Sequence, residues 1–159
     1  MKTDNVLATR PHKVIYRDGD KVWKVFDANY PKTDVLNEAL NQARVEETGL
    51  PIPRVHGVTV NEEGKWAIIS DYIEGETLAE KMAKDPENVG KYMKEFVEIQ
   101  LEIHDKTAPL LNKMKDKMSV RINSLKAVNA TTRYELSTRL ESMPKHKKVL
   151  HGDYNPTNV

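Results

Sequence analysis

Cysteine is absent from this 159-residue chain. Its absence excludes disulfides, thiolate metal sites and a cysteine nucleophile. Long apolar runs are also missing. The longest, Trp66-Ala67-Ile68-Ile69, has four residues, far short of the ~20 that a membrane span needs. The opening Met1-Lys2-Thr3-Asp4-Asn5 lacks the apolar stretch of a secretory signal. The default expectation is therefore a cytoplasmic protein with no membrane partner. Charge of one sign is scarce: 25 Lys and Arg against 24 Asp and Glu leave a formal charge of +1. Bulk electrostatics thus gives no reason to expect nucleic acid binding. The five histidines, His12, His56, His104, His146 and His151, stand singly rather than in pairs at ligand spacing, which argues against a histidine metal site. A serine-hydrolase elbow, G-x-S-x-G, is absent, as are internal repeats and low-complexity tracts.

What is present suits a small enzyme-sized fold. Hydrophobic residues make up 38% and charged residues 31%, enough for a core under a highly charged surface. The length allows one domain, or two small lobes sharing a cleft. Residues 5–8 read as a strand, and Thr9-Arg10-Pro11-His12 as a turn. Lys13–Tyr16 and Lys21–Phe26 read as a β-hairpin around Asp18-Gly19, an Asp-Gly turn signal. Residues 34–48 predict a helix with Thr33 as N-cap and a stripe of Leu36, Ala39, Leu40 and Ala43, stopped by Gly49. Strands follow over 54–60 and 65–73, with a turn at 61–64.

From Thr77 the pattern is helical. Thr77-x-x-Glu80 is a capping box. Asp85-Pro86 opens a longer helix whose expected buried face is Val89, Tyr92, Met93, Phe96, Val97, Gln100 and His104. Met114, Met118, Ile122 and Leu125 form a third stripe. Thr132-x-x-Glu135 reads as a second capping box, before Leu136, Leu140 and Met143, with Pro144 as the stop. Lys145-His146-Lys147-Lys148 reads as a solvated basic turn, with a phosphate or acceptor contact as the minor alternative. Val149-Leu150 reads as a short strand.

The chain then closes on His151-Gly152-Asp153-Tyr154-Asn155-Pro156-Thr157-Asn158-Val159. Asp153 sits on a loop and Asn158 follows five positions later, with Pro156 stiffening the path. A loop carboxylate that accepts a hydroxyl proton and an amide oxygen that ligates Mg²⁺ suit phosphoryl transfer. That reaction asks mainly for positioning and charge neutralisation. The alternative is a plain turn, with Asp153 and Asn155 as turn formers ahead of the proline.

His151-Gly152-Asp153, four residues, then Asn158 resembles the catalytic loop of the aminoglycoside phosphotransferase and choline kinase-like family, a variant of the protein-kinase pattern H-R-D-x-x-x-x-N. The resemblance implies an α+β, protein kinase-like fold. A small antiparallel sheet with one helix, residues 1–73, would be the nucleotide-binding lobe, hinged to a mostly helical lobe, 74–159. It implies ATP and Mg²⁺ as cofactors and a small hydroxyl-bearing acceptor. By that resemblance Asp153 is the catalytic base, Asn158 a metal ligand, and Lys24 the strand lysine that reaches the phosphates. Val22, two residues earlier on the same face, would touch the adenine. Glu38 would pair with Lys24, with Glu46 and Glu47 as weaker matches. The Asp71 carbonyl and the Ile73 amide would face the adenine edge, and Ser70 would line the back of that pocket. His151 would brace the loop, and His104 would pack or cap. Read without the resemblance, Lys24 is a solvated strand lysine, Glu38 an acid favouring a helix start, and 69–78 a strand leaving a sheet through a glycine turn.

Two departures stand out. No G-x-G-x-x-G covers the phosphates, so Arg10, His12 or backbone amides of the first turn would have to meet them. In the resembling family the chain continues past the asparagine to a second Mg²⁺-binding aspartate, and no residue here matches it. The expectation is a truncated form with little or no kinase activity. A catalytically dead nucleotide-binding module is the alternative, and a protein kinase-like enzyme is a third reading, opposed by glycine in place of arginine in the loop.

Overall fold

A computed structural model describes residues 5–145 and 147–159. The fold is α+β: a five-stranded antiparallel sheet followed by helices. The strands are β1 (Val6–Arg10), β2 (Lys13–Asp18), β3 (Lys21–Phe26), β4 (Val55–Val60) and β5 (Trp66–Asp71), in the order β1-β2-β3-β5-β4. Both turns of the first three strands are tighter than expected. Asp18 pairs with Lys21, so the β2–β3 link is only Gly19-Asp20, with Gly19 at φ 64°. Glycine at the first central position suits a primed hairpin turn. Arg10 pairs with Lys13, which shrinks the first turn to Pro11-His12. His12 takes φ 65° there, a left-handed conformation that L-residues adopt at a cost of about 1–2 kcal/mol. Its carbonyl accepts from Asp27 N at 3.0 Å and its Nδ1 lies 3.3 Å from the Asp27 carboxylate.

Helix α1 (Lys32–Glu46) crosses one face of the sheet. It starts before the expected cap: Pro31 occupies the N-cap position without a side-chain bond, and Thr33 lies inside the first turn. The buried stripe is rotated by one residue from the apolar pattern. Val35 and Ala39 are buried, whereas Leu36 and Leu40 are exposed. The rotation has a polar cause. The same side of α1 carries Gln42, which donates to Pro53 O at 2.7 Å, and Glu46, which accepts from Val55 N at 2.7 Å. These bonds satisfy backbone groups ahead of and at the start of edge strand β4, which a hydrophobic stripe cannot do. The core is Phe26, Val35, Ala39 and Ile68, ringed by Tyr30, Val55, Val58 and Trp66. Phe26 stacks on Tyr30 with centroids 4.9 Å apart.

The second half comprises α2 (Leu78–Lys84), a 3₁₀ turn (Pro86–Asn88), α3 (Val89–Asp105), α4 (Met114–Ser124) and α5 (Ala130–Ser142). The Thr77–Glu80 capping box forms as expected, with both reciprocal bonds. At α5 it does not. Asn129 is the N-cap and accepts from Thr132 N, so Thr132 is already helical. Asn129, three residues earlier, accepts the Thr132 N–H that the Thr-Glu pattern would have sent to the Glu135 side chain. The helical stripes are far less buried than their periodicity implies. Val89, Met93 and Val97 on α3, Met114 and Leu125 at the ends of α4, and Leu136 and Met143 of the α5 stripe are all exposed. Val149 is buried, yet Val149-Leu150 forms no strand, because none of the five strands of the sheet pairs with it. Lys145, Lys147 and Lys148 are exposed, and His146 lies outside the described residues. No helix among the described residues is long and apolar enough to cross a membrane.

Candidate active site

Alternation along β3 puts Val22, Lys24 and Phe26 on the face that α1 covers. Lys24 pairs with Ile68 across the sheet, and Glu38 lies one helical turn beyond Val35. Lys24 Nζ donates to Glu38 Oε1 at 2.6 Å, and Lys13 Nζ from the neighbouring strand lies 3.5 Å from the same oxygen. Burial pushes the Glu38 carboxyl up, but the hydrogen bonds and charges of Lys24 and Lys13 outweigh it and hold the group below its ordinary value. One carboxylate thus orients two ammonium groups on the sheet face. Glu46, a weaker match for this pairing, is committed to Val55 N instead.

At the far end of β3 the sheet register creates a second cluster. Lys21 pairs with Asp71. The Asp71 carboxylate receives Lys21 Nζ at 3.0 Å, His56 Nε2 at 2.5 Å and Arg54 N at 3.1 Å. The His56 bond leads in holding this carboxyl well below the usual range, followed by those of Lys21 and Arg54. Asp71 N donates to Arg54 O and Tyr72 N to Asp20 O, at 3.0 and 2.9 Å, while the Arg17 guanidinium stacks over Tyr72 at 3.8 Å. These contacts fix the chain as it leaves β5. Ile73 is then exposed, and among the described residues no backbone hydrogen bond outside the strands uses its amide.

The loop 151–159 is built around one left-handed glycine and two asparagines. Gly152 takes φ 87°, a turn that a side chain would oppose. His151 Nδ1 then accepts from Asp153 N at 3.3 Å. Asn158 Nδ2 donates to Asp153 Oδ2 and to Asp153 O, each at 2.9 Å. Asn155 Nδ2 reaches Oδ1 of the same carboxylate at 3.2 Å. Asp153 is held from two sides, while the Asn158 amide oxygen stays on the opposite side of its group from the donating nitrogen.

The loop is pinned from outside as well. Leu78 N donates to Val159 O at 2.7 Å and Ala79 N to Pro156 O at 2.9 Å. A helix start leaves four N–H groups without intrahelical partners. In α2 the first two bond the loop carbonyls and the third bonds Thr77 Oγ1. Tyr154 anchors the other side: its hydroxyl donates to Phe96 O at 2.5 Å, and its ring stacks on Phe96 at 4.3 Å. A shallow cavity of about 220 Å³ lies behind the loop, against His104, Leu150, His151 and Tyr154. Neither Asp153 nor Asn158 lines it.

The structure therefore brings the sequence-expected residues together as two pairs, Lys24 with Glu38 and Asp153 with Asn158. Sequence reasoning missed the Lys21–Asp71–His56 cluster and the Tyr154–Phe96 anchor. The first depends on strand register and the second on a contact between residues 58 positions apart, and no local pattern encodes either. As a place for a cation, the loop offers one carboxylate and one amide oxygen. Among the described residues there is no group of three or more His, Cys, Asp or Glu able to hold a metal. Such a donor set is too sparse for an all-protein cage. With the Asp153 carboxylate held by Asn155 and Asn158, a divalent ion such as Mg²⁺ would take the Asn158 amide oxygen and draw its other hard oxygen ligands from substrate phosphates and water.

An antiparallel sheet with one lysine–glutamate-linked helix, followed by helices and a His-Gly-Asp loop, defines a kinase-like phosphotransferase class. The family model of the phosphotransferase enzyme family, APH, matches residues 12–159. The chain belongs to that family. No individual curated protein matches it significantly.

Proposed function

We propose that this protein binds ATP–Mg²⁺ and directs its γ-phosphoryl group to the hydroxyl of a small acceptor. The observation that carries the reading is the closed Asp153–Asn158 interval: base and amide are 2.9 Å apart in a loop whose carbonyls are fixed by the start of α2. On this reading the sheet and α1, up to residue 73, hold the nucleotide, and residues from 74 onward carry the transfer loop. Lys24, held by Glu38, meets the phosphates. Val22 and the backbone of Asp71 and Ile73 meet the adenine. Asn158 turns its amide oxygen toward Mg²⁺, and the Asp153 carboxylate orients the acceptor hydroxyl and takes its proton. When bound, Mg²⁺ neutralises phosphate charge. The protein's own part is to fix the base, the amide and the ammonium group before substrate arrives.

Titration calorimetry with ATP–Mg²⁺ tests this. The chain is expected to bind, and Lys24→Ala and Asn158→Ala each to weaken binding about tenfold, the equivalent of one lost charge-assisted contact of ~1.4 kcal/mol. Asp153→Asn should leave nucleotide affinity nearly unchanged, because its carboxylate acts on the acceptor. A folded chain that gives no heat with ATP–Mg²⁺ overturns the reading, and so does equal affinity in all three variants.

A further inference from the structure

The sequence has no G-x-G-x-x-G to cover phosphates, and the first turn does not replace it. Pro11 has no N–H to offer, and the carbonyl and the imidazole of His12 are both turned to Asp27. The residue that follows is better placed. Lys13 pairs with Phe26 across β2 and β3, so its side chain leaves the sheet on the same face as Val22 and Lys24. Its ammonium lies 5.6 Å from the centre of the Phe26 ring, within cation–π range. Phe26 belongs to the core cluster and stacks on Tyr30, so the ammonium sits over a rigid support.

Lys13 and Lys24 reach the same oxygen of Glu38 but are not held alike. Lys24 donates at 2.6 Å, whereas Lys13 lies at 3.5 Å, the outer limit of a hydrogen bond. One negative charge is shared by two positive ones, and Lys24 has the tighter claim. A polyanion entering beside Glu38 therefore meets one ammonium that is locked and one that can turn to it. Their order along the sheet also matters. Val22, Lys24 and Phe26 follow one another at intervals of about 7 Å along β3, and Val22 lies at the end next to Ser70 and Asp71. A nucleotide with its adenine at Val22 runs its phosphates past Lys24 first. It reaches Lys13, level with Phe26, last.

We propose that Lys13 receives the terminal phosphate of the nucleotide and makes the site selective for a triphosphate over a diphosphate. The assignment rests on the nucleotide reading above and adds a specificity residue to it. Lys24 binds phosphates that ATP and ADP share, and Lys13 binds the one that only ATP has.

Titration calorimetry of ATP–Mg²⁺ and ADP–Mg²⁺ against the full chain and its Lys13→Met variant tests this. Wild type is expected to bind ATP about tenfold more tightly than ADP, the scale of one charge-assisted contact. Methionine keeps an apolar stem over Phe26 and removes the charge. ATP affinity should then fall about tenfold and ADP affinity by less than about twofold. Lys24→Ala should weaken both nucleotides alike, and Lys13→Arg should keep the preference for ATP. In a Glu38→Gln background Lys13→Met should still remove that preference, because the lysine acts on phosphate rather than through the carboxylate. Loss of the effect in that background would reduce Lys13 to a support of Glu38 and overturn the proposal. So would equal losses for ATP and ADP in Lys13→Met, or an unchanged ATP affinity. Wild type that binds ATP and ADP equally overturns it without any variant. In each of these cases the nucleotide reading stands, since wild type still binds. Loss of the preference in Arg10→Ala but not in Lys13→Met would give the terminal phosphate to the residue that pairs with Lys13 on β1, and likewise overturn it. A folded wild type that binds neither nucleotide overturns the nucleotide reading and this assignment together.

Discussion

Glu38 is acted on in two directions: burial raises its pKa, and Lys24 with Lys13 lowers it further than burial raises it. A carboxyl whose pKa is depressed by folding adds stability above its unfolded value. That contribution is lost as pH falls through the folded value. Relative to Glu38→Gln, which cannot titrate there, the protein should therefore hold a constant advantage at neutral pH. The advantage should begin to shrink as pH drops below about 4.5, the ordinary glutamate value. At pH 7 the substitution should cost about 1 kcal/mol in urea unfolding, since the pair is only partly buried. If the two urea midpoints stay parallel from pH 7 to pH 3, Glu38 is not held by the lysines. That Lys24 faces α1 and that Asp153 and Asn158 share one loop was legible in the sequence, because alternation and spacing are local properties. The partners of Asp71 were not, because His56 and Lys21 reach it only through the pairing of β3 and β5 and the chain path from Arg54 into β4. The Asp71 side chain is occupied by these partners and its amide by Arg54 O, so on the proposed reading only its carbonyl would meet a ligand.

At the scale of elements, strands and helices were recognisable, but their ends and faces depended on polar details. The capping box at Thr77 was correctly read because both partners lie within four residues. The same pattern at Thr132 misled, because Asn129 Oδ1 accepts from Thr132 N at 2.8 Å and moves the helix start forward. The consequence is measurable. Asn129→Ala should destabilise α5 by about 1 kcal/mol, the usual value of an N-cap, whereas Thr132→Ala, a change inside the first turn, should cost much less. Loss of helical circular dichroism on heating distinguishes them, and equal effects would return the cap to Thr132. The stripe of α1 was displaced for a related reason. Hydrophobic periodicity ranks Leu36 and Leu40 above Gln42 and Glu46, yet the backbone groups of Pro53 and Val55 need partners more than those leucines need burial. The α3 and α4 stripes were legible as patterns, but the pattern states only that a face is apolar, not what covers it.

For the whole molecule, cohesion is uneven. Phe26, Val35, Ala39 and Ile68 tie the sheet to α1. The 151–159 loop is tied to α2 by two backbone bonds and to α3 through Tyr154. The α4–α5 hairpin has its own seam, with Lys115 Nζ donating to Met143 O at 2.6 Å and Arg133 to Val128 O at 2.6 Å, and little beyond it. Local opening free energies should follow this division, since segments with few apolar contacts open well below the global limit. Hydrogen exchange read by mass spectrometry on dilute protein should show amides of 114–142 exchanging about 100-fold faster than those of β3 and β5. On the proposed reading ATP–Mg²⁺ should slow exchange in 71–79 and 153–159, which the start of α2 links through its first two amides, and leave the hairpin unchanged. Exchange that is uniform along the chain would mean that the helical half is as tightly held as the sheet. Nucleotide protection that reached 114–142 would place the hairpin in the site, and a division of labour between transfer loop and hairpin would then have to be abandoned.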